Sequence, residues 1–218
     1  MNERSFTMKR QERHPHQEGN GMRSRIREAA VRVFSREGFD RASVKAVAQE
    51  AGVAVGSIYN HFRDKDDLLI SIFEEEFRQR LDLLEEMQRA KLPVRDQVER
   101  LLEEHFARAS KQKELAELLL YERFHRGGKL RERIIALQRG VVRQIANILQ
   151  GGISEGWIRP CHPKVVAQAL FDLVQTMTAC WVLSDPDEAE EVFEAAPREL
   201  ANLMWKGLCR SHDEDRKD

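Results

Sequence analysis

The chain has 218 residues, 41% hydrophobic and 33% charged, with only 6 prolines, a balance that suits long exposed helices and allows one large domain or two small ones. Its net charge of −1 conceals an asymmetry: residues 1–45 hold eleven Lys or Arg against six acids, and the remaining 173 hold 25 against 31, so a basic end can sit on phosphate while an acidic body faces away. Cys161, Cys180 and Cys209 lie far apart, no apolar run approaches a membrane span of about 18 to 20 residues, the first residues lack a leader's apolar segment, and no G-x-S-x-G, H-E-x-x-H, phosphate loop or metal-spaced Cys/His set occurs; the expectation is a cytoplasmic non-enzyme with unpaired thiols, no metal, no cofactor and no membrane partner.

Residues 1–21 are polar and end in Gly-Asn-Gly; they cannot bury enough apolar area to offset the entropy of ordering, which predicts a flexible arm. A first helix over residues 23–37 aligns Ile26, Ala29, Ala30, Val33 and Phe34 on one face and stops at Gly38. Ser43 is a natural N-cap for a short second helix carrying Val44, Val47 and Ala48, and Gly52 suits the left-handed turn after it. A third helix over about residues 54–61 buries Ile58, with Phe62 four residues on. Two short helices joined by a glycine-containing turn form a helix-turn-helix, whose second helix fits a DNA major groove. The exposed side of that helix, Val55, Gly56, Ser57, Tyr59, Asn60 and His61, is small or hydrogen-bonding and carries no negative charge. On these residues alone an ordinary helical hairpin stays open.

The run AGVAVGSIYNHFRDKDDLL resembles the signature of the TetR family of bacterial transcriptional regulators, with Ala51-Gly52-Val53, Gly56-Ser57, Tyr59, His61-Phe62, Lys65 and Leu68-Leu69 in place. The resemblance covers residues 23–69 and implies an all-helical homodimer whose affinity for double-stranded operator DNA is switched by a small-molecule effector. By position Ser43, Ser57, Tyr59, His61 and Lys65 match phosphate contacts of the family, while Val55 and Asn60 face the bases; Val44 and Gly56 complete the implied DNA-binding set. Many members have Ser where Ala54 stands and a polar or basic residue at Val55. Ala54 therefore loses a phosphate contact, and Val55 reads only apolar features such as a thymine methyl.

A long fourth helix follows over residues 63–90, capped by Asp64 with Asp67 near N3 and buried along Leu68, Leu69, Ile72, Phe73, Phe77, Leu81 and Leu84. Its Glu74-Glu75-Glu76 run reads as a solvated face. Five more helices are predicted over residues 94–110, 113–126, 130–154, 163–184 and 185–209, with Gly151-Gly152 and Gly156 loosening the end of the third and Asp185 capping the last. The predicted organisation is all-α, with an arm (1–21), a helix-turn-helix domain (22–67), a ligand-binding and dimerisation domain (68–210) and a flexible tail (211–218).

The helix from Pro163 is apolar almost all round and needs cover on several sides. With the final helix it predicts a four-helix dimer interface through Leu170, Val174, Met177, Trp181, Leu200, Leu203 and Met204; the central helix of a monomer is the alternative. Polar residues on otherwise buried helices suggest an amphipathic ligand's cavity lined by His105, Phe106, Tyr121, Phe124, Arg143, Phe171, Gln175 and Thr178. The segments FDLVQTMTACWVLSD and YERFHRGGKLRERI are similar to the FadR-type branch of the family, which implies a long-chain acyl-CoA effector and a role in fatty acid metabolism. Arg123, Arg126, Lys129, Arg131 and Arg133 would form the basic mouth for its phosphates. The competing expectations are an efflux-pump repressor answering to aromatic or cationic compounds, and a nucleoid-bound structural or cell-division factor on the same fold.

Overall fold

The computed structural model describes the backbone of residues 15–184 and 186–208, and side chains within these except residues 15–20, 124 and 186–188. Among them are nine helices: α1 (Pro15–Glu37), α2 (Val44–Ala51), α3 (Val55–Tyr59), α4 (Lys65–Arg89), α5 (Val94–Lys111), α6 (Lys113–His125), α7 (Gly128–Ser154), α8 (Pro163–Leu183) and α9 (Pro186–Leu208). The all-α expectation holds, and apolar periodicity places most helix ends within a few residues. The exception is α1, which starts at Pro15, inside the stretch expected to be a flexible arm. Residues 1–14, the 211–218 tail and the Asp185 cap lie outside the described residues.

Local chemistry accounts for the helix ends. Ser43 Oγ accepts from the Ala46 N–H at 3.1 Å, and Gly52 takes the left-handed conformation (φ 64°) that ends α2. Asp64 Oδ1 accepts from Asp67 N–H at 2.7 Å while Asp67 Oδ2 accepts from Arg63 N–H at 3.1 Å, the reciprocal cap predicted for α4. At the other end of the body, α7 runs through Gly151 and Gly152 rather than loosening there. Gly152 serves close approach: a Cβ on it would stand 2.8 Å from Ile158 Cδ1 and 3.2 Å from Val94 Cγ1.

Ile26, Ala30, Val33 and Phe34 of α1 pack with Val47, Ala48, Ile58 and Phe62 to give the first three helices their own core, every one of these side chains at most 2% exposed. Burying each large one contributes about 1.5–3 kcal/mol. From this head α4 runs on unbroken for about 37 Å at 1.5 Å per residue, and Leu68 to Leu84 join the head's core to that of the body. Around α4 pack α1, α5 and α7; α8 lies between α7 and α9, and α6 closes against α1 and α8.

The fold corrects one reading of composition. α8 is 21 residues long with a mean hydropathy of 1.3 in its most apolar window. It is long and apolar enough to cross a membrane, although no such run was expected. Only 22% of that window is buried, so a broad apolar face is left uncovered by the described residues.

Candidate functional site

Ile58 and Phe62, each 1% exposed, anchor α3 to the head. Helical spacing then turns Val55, Gly56, Tyr59 and Asn60 outward as one exposed row, with Ser57 and His61 half-buried at its flanks. Ser43 is exposed; Val44 is half-buried and packs against the core. Lys65 does not join them. Its ammonium donates to the carbonyls of Phe39, Asp40 and Ala42 at 2.7, 3.1 and 3.0 Å and lies 4.6 Å from the Phe39 ring centroid. Three hydrogens given to three carbonyls leave none for a phosphate. Lys65 therefore clamps the turn that presents Ser43.

That turn is held from the body as well. Arg126, at the end of α6, forks onto both oxygens of Asp40 at 2.8 and 3.0 Å and covers the Phe39 ring. Arg133 reaches Glu74 at 2.8 Å and Asp67 at 3.7 Å. Two cations expected at a ligand mouth are thus spent joining the body to the head and its long helix.

Two adjoining chambers lie behind α4. An apolar one of about 70 Å³ is walled by residues including Leu83, Val98, Leu101, Val141, Ile145 and Val174. A polar one of about 50 Å³ touches Glu76, Arg123, Gln138 and Thr178. Arg80, His105, Arg108 and Gln175 line both. Of the predicted pocket residues, His105, Phe171, Gln175 and Thr178 are therefore brought together. Phe106 stands behind them, edge-on to Phe193 at 4.8 Å. Tyr121 is 56% exposed and stacks on His125 at 3.8 Å, because its position on α6 points away from α8. Arg143 is exposed on the outer face of α7. The Phe124 side chain lies outside the described residues.

The unanticipated members are Glu76, Arg80 and Arg108. Glu76, only 5% exposed, belongs to the interior and not to a solvated face. The signal lay in the helical register. Arg80 continues the buried row Phe73, Phe77, Leu84, and Arg108 continues Leu101, His105, so charges stand where the spacing calls for core.

Burial, with Arg80 and Arg108 adding repulsion, lowers the His105 pKa from 6.5 to about 3. The ring is neutral near pH 7. Thr178 Oγ1 donates to the Val174 carbonyl at 3.0 Å, so His105 Nε2 is the donor in its 2.9 Å bond to that hydroxyl. The unfolded chain takes up this proton near pH 6.5 and the folded chain does not. Stability is therefore intact above pH 6.5 and falls as the pH drops toward 3, by about 1.4 kcal/mol per unit. Between pH 6.5 and 5 the expected loss is roughly 2 kcal/mol, read from urea midpoints; His105→Gln should lose correspondingly less, and equal losses would refute the assignment.

The predicted dimer residues divide. Trp181, Leu200 and Met204 are each 7% exposed in the single chain; Trp181 stacks on Phe193 at 4.3 Å. Their own protomer covers them, because they sit on the inward sides of α8 and α9. Leu170, Val174 and Met177 are half-buried. The outward row consists of Val165, Leu173 and Leu183 on α8 with Val192 and Leu203 on α9, from 37% to 79% exposed.

Residues 26–72 match the family model described as bacterial regulatory proteins of the tetR family, and residues 91–185 match that of the Tetracyclin repressor-like C-terminal domain. The chain is 29% identical over 161 residues to the fatty acid metabolism regulator protein of Bacillus subtilis, covering 73% of this chain and 83% of that one. Its fold is similar to the crystal structure of the transcriptional regulator FadR from Bacillus subtilis in complex with stearoyl-CoA (TM-score 0.77, 26% identity, 84% of this chain and 98% of that chain). It is equally similar to the fatty acid degradation regulator FadR from Bacillus halodurans (TM-score 0.77, 25% identity, 85% and 98%). The two matched stretches take in the helix-turn-helix head and most of the helical body, and these relatives are covered over 83% or more of their length: the chain belongs to the TetR family of bacterial transcriptional regulators.

Proposed function

We propose that the protein is a cytoplasmic homodimeric repressor that binds palindromic operator DNA and releases it on taking up a long-chain acyl-CoA, so controlling fatty acid metabolism. The observation that carries this reading is the apolar chamber adjoining a more polar, arginine-lined one immediately behind α4, with Arg80, His105, Arg108 and Gln175 on the wall of both. An acyl chain matches the first and the polar end of that chain the second. The stearoyl-CoA held by the Bacillus subtilis relative supports the same class. A cationic drug would meet Arg80, Arg108 and Arg123 at the same place, which argues against an efflux repressor.

On this reading the head and the body assigned from sequence (22–67 and 68–210) have separate tasks. Val55 and Asn60 meet base edges while Ser43, Ser57, Tyr59 and His61 meet backbone, with exposed Lys45 supplying charge. The outward row on α8 and α9 meets its copy across a two-fold axis, matching two half-sites. Chambers of about 50 and 70 Å³ are far smaller than the roughly 300 Å³ or more of drug-sized ligand sites, so an acyl chain must widen them. Phe77 and Arg80 of α4 form one wall and α6, with its Arg126–Asp40 clamp, another. Widening therefore moves elements that carry the heads and alters the separation of the two reading helices. Reversing occupancy from 99:1 to 1:99 requires about 5.5 kcal/mol of differential binding.

The test is fluorescence anisotropy on a duplex selected from a random library. Palmitoyl-CoA is expected to weaken binding at least about tenfold, or 1.4 kcal/mol, and free coenzyme A to leave it unchanged. DNA affinity indifferent to palmitoyl-CoA would overturn the acyl-CoA reading and favour a structural DNA-binding role.

A further inference from the structure

Arg80 lines both chambers and makes no hydrogen bond among the described residues. Its one charge contact is Glu76 Oε2 at 3.4 Å, and its guanidinium lies 5.3 Å from the Phe77 ring centroid. Arg108 stands 3.9 Å from the other oxygen of the same carboxylate and donates to Gln79 Oε1. Two guanidinium charges therefore share one acid, and His105, neutral, adds none. Gln138 Nε2, also on the polar chamber, is buried without an acceptor. A buried donor of this kind is costly unless an acceptor reaches it, and here it stands with the two guanidiniums around a cavity whose far side is apolar.

We propose that Arg80 and Arg108 form a carboxylate receptor on the wall of the cavity, so that it accepts the unesterified long-chain acid as an effector in its own right. A carboxylate fits the guanidinium fork with two parallel N–H···O bonds and supplies the missing negative charge. A thioester carbonyl at the same point is neutral and leaves one positive charge uncompensated. The alkyl chain would run toward Leu83, Val98, Leu101, Val141, Ile145 and Val174. The inference rests on the cavity being a fatty-acyl site, as proposed above, and adds which head group it takes.

Isothermal titration of the full chain with palmitate, methyl palmitate and palmitoyl-CoA decides the matter. Wild type is expected to bind palmitate at least about tenfold tighter than methyl palmitate, a charge-assisted pair against a neutral ester. Arg80→Met should abolish that preference while leaving methyl palmitate within about twofold. Equal affinity for acid and ester in the wild type, or a preference that survives Arg80→Met, overturns the proposal; the first comparison needs no variant and stands even if the substitution unfolds the chain. Binding of palmitoyl-CoA without palmitate defeats this inference and leaves the proposed function standing. Failure of all three ligands defeats both.

Discussion

Gly56→Leu is expected to leave the fold intact and to abolish DNA binding. A Cβ built at Gly56 meets nothing within 4 Å, and the backbone there is ordinary helix without a positive φ. Nothing in the protomer opposes a side chain, and replacing glycine inside a helix gains up to about 1 kcal/mol of propensity. Yet Gly56 lies in the exposed row beside Val55 and Asn60, the two residues proposed to face the bases. An isobutyl group there holds α3 away from the groove floor, and every hydrogen bond beneath it lengthens. The loss should reach at least about 100-fold, or 2.7 kcal/mol, by anisotropy on a selected duplex, with a melting temperature equal to or above wild type. An affinity within twofold of wild type would place the reading surface elsewhere.

The second large effect concerns assembly. Leu173 and Leu203 are 37% and 65% exposed on the outward sides of α8 and α9, so glutamates there cost the protomer little. In the proposed dimer each patch would meet its own copy across a two-fold axis, and new carboxylates would face one another in a setting that excludes water. The Leu173→Glu, Leu203→Glu double variant is expected to be monomeric by light scattering, with unchanged helical circular dichroism. Its DNA affinity should fall by about 10² to 10⁴, the avidity gained by linking two reading heads. A dimer that persists would move the interface off these helices.

Much of this architecture was legible in the sequence, for definite reasons. Ser43, Gly52 and Asp64 act through the backbone next to them, and such caps can be read residue by residue. The body helices announce themselves through apolar spacing, and each helix from α5 to α8 ends within two residues of its predicted end. Less legible was which neighbour each face meets. α8 is apolar on nearly every side, so periodicity has no contrast from which to tell Trp181, turned toward Phe193, from Leu173, turned outward. Lys65 matched a family phosphate contact by position, but the destination of an ammonium on a flexible stem is set by the carbonyls of residues 39–42, more than twenty positions away. Arg80 and Arg108 carry no signal beyond their register, because an arginine within an apolar stripe looks like a solvated charge until the helices packed against it are known.

The continuity of packing along α4 carries a mechanical corollary. Apolar contacts run from Ile26 in α1 to Leu208 in α9 as one cluster, and Arg126 with Lys65 ties down the turn at residues 38–42 from either side. Among the described residues no break interrupts α4 along that path, and the turn it leans on is fastened at both ends. A push delivered at the level of Phe77 would travel as a tilt of α4, and the roughly 18 Å of helix between Phe77 and Lys65 turns a small angular change at one end into ångströms at the other.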